Sequence, residues 1–347
     1  MKKLRNYIFT LLILCFVLLA ACSNETARNE QGNESSEEET KLQVYTTVYP
    51  LSYFTQRIGG EFVKVSSVYP PGANEHSFEP TQQDMIKLAE SDLIFYIGFG
   101  LEGFIENAQE TLKNEKVEFV ATTANIPNEK LNISTGDSQV AHSEEDEGTQ
   151  VEEAHNDEEV TSESEDVHTE HNEIDAHVWL STSLSADLAL AIKSALTEKM
   201  PEQADKFEAN YQKLVNELET LDIQFKDMVA QANTRTFFVS HAAFGYIAGE
   251  YGLQQVPIAG LNSQNEPSQK ELLEVVALAE DLKIEYVLFE QNVSSKLAEI
   301  IQSEIGAESL TLHNLSVLTK EDIANNETYF TLMKQNIETL RKALGNQ

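Results

Sequence analysis

Five histidines and sixteen acidic residues fall between Asp137 and His177, with no Lys or Arg among them. Imidazole nitrogens and carboxylate oxygens are the donors that divalent cations take, and a run this polar has too little apolar surface to bury to build a core. The chemistry indicated is metal binding. His142, His155, His168 and His171 lie within the run and are read as mobile, weak accessory metal sites. His177 stands in Asp175-Ala176-His177-Val178-Trp179-Leu180, where apolar sequence resumes, and is read as fixed. The insert, residues 137–175, is expected to gather metal for a folded site; a spacer and a lid are the rival roles.

Three further positions sit where a folded site would draw on them. His241 follows Thr236-Phe237-Phe238-Val239-Ser240, Glu290 closes Tyr286-Val287-Leu288-Phe289, and His76 lies in the loop from Pro70 to Pro80. Each follows a β-branched or aromatic run, hence the carboxyl end of a strand, where open α/β sheets place their ligands. For any one of them alone, a satisfied surface or capping residue is the better reading. Three histidines and a carboxylate at such ends point to one site. Glu75, beside His76, is read as a solvated loop carboxylate, with competition for the metal as its alternative, and Asp175 as a carboxylate able to orient an imidazole. His313 is read as structural.

The elements that must hold these residues alternate. Strands are predicted at Leu42 to Tyr49, Phe62 to Tyr69, Asp92 to Gly98 and Lys116 to Thr122, and again at Thr236 to Ser240, Glu285 to Gln291 and Glu308 to Leu312. Helical periodicity separates them, as at Gln82 to Ser91, Lys270 to Leu282 and Lys296 to Gly306. Strand–helix alternation implies an α/β fold with parallel sheets in two lobes, each sheet flanked by helices. An internal echo, Glu79-Pro80-Thr81-Gln82-Gln83-Asp84-Met85 against Glu266-Pro267-Ser268-Gln269-Lys270-Glu271-Leu272, suggests that the lobes are repeats, each motif reading as a capping box. Between the lobes, apolar residues recur at steps of three and four from Ala204 to Met228 behind Pro201, which predicts one continuous helix joining them. A coiled-coil dimer is the rival, and the shortness of the repeat favours an intrachain spine and a monomer.

Lys2, Lys3 and Arg5 precede an apolar run from Tyr7 to Ala20, a signal-peptide pattern too short for an easy bilayer span. Leu19-Ala20-Ala21-Cys22 resembles a bacterial lipobox, which implies cleavage before Cys22 and a lipid on its thiol. An uncleaved anchor or a plain secretory signal is the alternative. Loss of residues 1–21 takes the formal charge from −34 to −37, which excludes nucleic acid as a partner, and leaves no cysteine for a disulfide. The expected organisation is a signal at 1–21, an acidic tether at 22–41, a first lobe at 42–199 containing the insert, a linking helix at 200–232 and a second lobe at 233–347. The chain is expected outside the cytoplasm on the bacterial membrane: the outer face with one membrane, the periplasmic side with two.

Pro71-Gly72-Ala73-Asn74-Glu75-His76-Ser77-Phe78-Glu79-Pro80, Asp175-Ala176-His177-Val178-Trp179-Leu180-Ser181, Ser240-His241-Ala242-Ala243-Phe244-Gly245-Tyr246 and Leu288-Phe289-Glu290 resemble the four ligand segments of the zinc-type solute-binding lipoproteins of bacterial ABC importers, the metal-binding cluster A-I (cluster 9) type of high-affinity zinc uptake system. The resemblance implies two α/β lobes joined by a long rigid helix, Zn(II) as transported ligand in the cleft, and an ABC permease as partner. It implies His76, His177 and His241 as zinc ligands and Glu290 as the fourth. The chain departs from some relatives in lacking a disulfide of the second lobe. Three imidazoles and one carboxylate suit Zn²⁺ and disfavour Mg²⁺ and Ca²⁺, which want more oxygens. Manganese importers of related type resemble this family but place carboxylates at the third and fourth positions, so the third histidine favours zinc. A surface adhesin and a zinc hydrolase are the other classes; the chain has no His-Glu-x-x-His pair, and no enzyme activity is expected. Affinity is expected to fall as pH drops through the free imidazole range near 6.5.

Overall fold

Two parallel four-stranded sheets carry the chain in the computed structural model, which describes residues 41–134, 174–261, 267–291 and 295–345. Cys22 and the insert histidines His142, His155, His168 and His171 lie outside the described residues. The first sheet takes β1 (Leu42–Thr46), β2 (Val63–Ser67), β3 (Leu93–Tyr96) and β4 (Glu118–Ala121), in the order β2-β1-β3-β4. Its connections contain α1 (Tyr49–Gly59), α2 (Gln82–Ala89) and α3 (Ile105–Leu112), with a single turn α4 (Asn128–Leu131) after the last strand. Two longer helices follow, α5 (Thr182–Lys199) and α6 (Ala204–Ala230). The second sheet takes β5 (Thr236–His241), β6 (Gln254–Ala259), β7 (Tyr286–Phe289) and β8 (Glu308–Thr311), in the order β6-β5-β7-β8. Helices α7 (Gly245–Tyr251), α8 (Gln269–Asp281) and α9 (Lys296–Glu304) connect them, and α10 (Lys320–Ala324) and α11 (Tyr329–Ala343) close the chain.

In both sheets the first strand sits second in the order, with its successor at the edge, so the two halves share one winding. The echoed motifs open equivalent helices: Thr81 and Asp84 form a reciprocal capping box on α2, and Ser268 and Glu271 form the same box on α8. Each satisfies two backbone donors that a helix start leaves unpaired. The strands are shorter than the apolar runs suggested, because residues such as Tyr49 leave the sheet for the next helix. β6 is absent from the sequence expectation, and it contains Pro257, a residue rare inside strands. The structure puts β6 at the sheet edge, where the missing proline N–H breaks no second ladder.

α6 follows the predicted stripe, with Phe207, Leu214, Leu218, Leu221, Phe225 and Met228 buried. Its start corrects the expectation. Pro201 to Gln203 form a separate 3-10 turn, and the α-helix proper is 27 residues, about 40 Å at 1.5 Å each. α6 packs on α1 and α5 along one stretch and on α7 and α11 along another, so one large core joins both sheets. A smaller cluster, including Phe238, Val256, Val275, Val287 and Ile301, lies between the second sheet and α8 and α9. Among the described residues no helix is long and apolar enough to cross a membrane.

Candidate metal centre

His76, His177 and His241 converge. One ring nitrogen from each lies within 4.8 Å of the other two, and this is the trio with metal-ligand spacing among the described residues. The ring centroids stand 5.5 Å (His76 to His177), 5.3 Å (His76 to His241) and 5.1 Å (His177 to His241) apart. Three elements bring them there. His76 comes from the β2–α2 loop, where its backbone N–H donates to Asn74 Oδ1 at 2.9 Å. The N–H of Gly72 in the same loop donates to Leu318 O at 3.1 Å, tying it to the second half.

His177 precedes the buried turn Val178–Leu180. Its backbone N–H and its Nδ1 both meet Asp175 Oδ1, at 2.9 and 2.8 Å, while Ser134 Oγ donates to Asp175 Oδ2 at 2.5 Å. A carboxylate on Nδ1 holds the proton there and aims Nε2 at the centre. His241 ends β5, where the residue after an apolar strand emerges at the sheet's carboxyl edge. Glu290 Oε1 lies 2.8 Å from its Nδ1 and Leu261 O lies 2.9 Å from its Nε2.

The electrostatics differ within the trio. Burial, followed by the neighbouring His177 and His241, lowers His76 to about 3. Burial also acts against a charged His241, but the Glu290 carboxylate, by charge and hydrogen bond, and the Leu261 carbonyl prevail and raise it to about 9. The expected pH window near 6.5 is therefore displaced for His76 and His241, in opposite directions. Nε2 of His76 and of His177 are buried without a hydrogen-bond partner. A buried, unpaired imidazole nitrogen is costly unless something with a vacant orbital takes its lone pair. Tetrahedral Zn²⁺ with bonds of about 2.0–2.1 Å does so once the rings draw together around it. The donor set fits zinc.

Other candidates fall differently. Glu290 stands against the His241 ring, with Oε2 accepting from Asn314 Nδ2. Glu75 is 2% exposed, which overturns its reading as a solvated loop carboxylate. Burial and the charge of Glu290 raise its carboxyl above the usual range. His313 Nδ1 accepts from Leu315 N–H at 2.8 Å, which leaves the proton on Nε2, 3.2 Å from Asp322 Oδ2. Both ring nitrogens are used within the fold, as a structural histidine requires. A cleft of about 790 Å³ opens beside His313, Gly72 and Gln291, and none of the three converging histidines lines it.

Residues 44–343 match the sequence model of ZnuA, zinc-uptake complex component A, periplasmic. The chain belongs to the ZnuA family. A relative named high-affinity zinc uptake system protein ZnuA, from Bacillus subtilis (strain 168), is 31% identical over 330 residues, 95% of each chain. Zinc-binding lipoprotein AdcA of Streptococcus pneumoniae (strain ATCC BAA-255 / R6) is 30% identical over 334 residues, 96% of this chain. The chain spans 60% of the length of that AdcA. The Zn(II)-bound ZnuA-like domain of Streptococcus pneumoniae AdcA is similar in structure, with a TM-score of 0.67 at 28% identity over 88% of this chain and 99% of that one. Two residues that hold this ZnuA-family site together gave no signal in the sequence. Asn314 is a lone amide after β8, and Ser134 is the last described residue before the insert; only their long-range partners, Glu75, Glu290 and Asp175, reveal them.

Proposed function

We propose that this chain binds Zn²⁺ outside the cytoplasm and delivers it to the permease of an ABC importer, held at the membrane by a lipid on Cys22 and acting as a monomer. The observation that carries the reading is the convergence of three histidines, His76 half-buried and the other two buried, of which two have an unpartnered Nε2. His76, His177 and His241 are the proposed ligands. Glu290 supplies the fourth place, moving its Oε1 from the His241 ring to the ion. Asp175 orients His177 from behind.

That chemistry supports uptake rather than catalysis. A hydrolytic zinc site needs an open coordination place and a base beside the bound water, whereas here the carboxylate at hand closes the site. The family name and the zinc-named relatives support cargo binding. Two measurements test the proposal. Equilibrium titration should give one tight Zn²⁺ at the folded site, with Mn²⁺ far weaker. Deleting the gene should abolish growth in zinc-poor medium, and added zinc should restore it; normal growth of the deletion strain would reject the importer role.

A further inference from the structure

Asn314, fully buried, lies behind the three histidines and joins the two halves of the molecule. Its backbone carbonyl accepts from Trp179 Nε1 at 2.7 Å, and Trp179 is two residues from His177. Its side-chain Oδ1 accepts from Ser316 N–H (3.0 Å), Ser316 Oγ (2.9 Å) and Gln291 Nε2 (3.0 Å). The Ser316 backbone N–H can only donate, so it identifies its partner as the amide oxygen and fixes which way the group points. The NH₂ must therefore face the other way, and there it meets two carboxylates. Nδ2 donates to Glu75 Oε1 at 3.1 Å and to Glu290 Oε2 at 2.5 Å.

An NH₂ group has two hydrogens, and each is committed to a different glutamate. One carboxylate belongs to the loop that carries His76, the other to the end of β7 beside His241. Glu290 is left with Oε1 for the site. Glu75 is held by Oε1 while its Oε2 is buried without a hydrogen-bond partner. Two buried carboxylates next to a cation site would otherwise both turn toward the cation, because that is the cheapest way to satisfy a buried charge.

Building on the zinc reading, we propose that Asn314 is a positioning residue that limits the carboxylate oxygens reaching the metal to one, and so sets the preference for zinc over manganese. Three nitrogens and one oxygen make a four-coordinate site for Zn²⁺. Added oxygens make the larger, harder coordination shell that Mn²⁺ takes. Without the amide, Glu75 joins the shell.

The test measures Zn²⁺ and Mn²⁺ affinities by chelator competition on the full chain in detergent, for the wild type, Asn314→Ala, Glu75→Gln and Asn314→Ala with Glu75→Gln. Removing one outer-shell partner changes metal affinity by about 10- to 100-fold. Asn314→Ala should thus lower the zinc-to-manganese ratio at least about tenfold. Adding Glu75→Gln should restore most of it. Co²⁺ loaded into Asn314→Ala should lose the intense visible bands of a four-coordinate ion and recover them in the double variant, which a purely structural role would not produce. If zinc and manganese weaken together, if the ratio is unchanged, or if Glu75→Gln fails to restore it, the role is refuted. Should Asn314→Ala not hold its fold by circular dichroism, Asn314→Ser is judged by the same ratio and spectrum. A wild type that binds no zinc would instead refute the metal-site reading beneath the proposal.

Discussion

On the proposed zinc reading, each of the two histidines with a displaced titration shapes how the ion enters. His76, lowered to about 3, is neutral and ready to bind at any physiological pH. His241, raised to about 9 in the metal-free protein, carries a proton that zinc must displace. The sign follows directly: a proton held below pH 9 competes with the metal, so affinity rises with pH up to about 9 and falls below it. One displaced proton corresponds to about a tenfold change in affinity per pH unit. Titrations in weakly buffered solution should record proton release on zinc addition at pH 7.5. An affinity that is flat between pH 6.5 and 8.5 would contradict the His241 assignment. His76→Ala, His177→Ala and His241→Ala should each weaken zinc binding severely, whereas Glu290→Ala should cost less, since water can take an oxygen's place. The three converging histidines were legible because each follows a recognisable strand or resumes apolar sequence. Glu75 was misjudged because its neighbours, Asn314 and Glu290, are 239 and 215 residues away in sequence, and nothing local marks a loop carboxylate as buried.

At the scale of elements, the seam between the halves depends on one absent side chain. A Cβ on Gly249 in α7 would lie 1.6 Å from Ile133 O, so only glycine lets the strand of chain before the insert press against that helix. α7 also anchors the ligand segment, with Tyr246 Oη donating to Asp175 O at 2.8 Å and Glu250 Oε1 accepting from Ser181 Oγ at 2.8 Å. Gly249→Ala should destabilise the fold by about 1–3 kcal/mol, the usual cost of overpacking. It should also weaken zinc binding through Asp175 and His177. Thermal unfolding and zinc titration of the variant check both, and an unchanged midpoint would show that the seam yields. Periodicity exposed α6 and the repeated capping boxes because a long apolar stripe and a Thr/Ser-x-x-Asp/Glu spacing are local signals. It did not expose β6, where position in the sheet decides that proline is tolerated, nor the 3-10 turn at Pro201, where the helix start is set by packing.

Across the whole molecule, the acidic, histidine-rich insert is expected to be separable from the centre. Residues 137–173 contain His142, His155, His168 and His171 but none of the proposed ligands. Their deletion should leave the affinity and stoichiometry of the folded site unchanged and remove weaker extra zinc equivalents. Growth should suffer only where zinc is scarce, because such an arm raises the local metal concentration. Unchanged growth under chelation would identify a spacer, and a large loss of affinity would identify a lid. The most direct measurement is a crystal structure of the zinc-loaded protein with anomalous data on both sides of the zinc edge. It should show one strong peak bonded to nitrogens of His76, His177 and His241 at about 2.0–2.1 Å. A peak elsewhere, or one bonded to fewer than three of these histidines, would contradict the assignment of the centre.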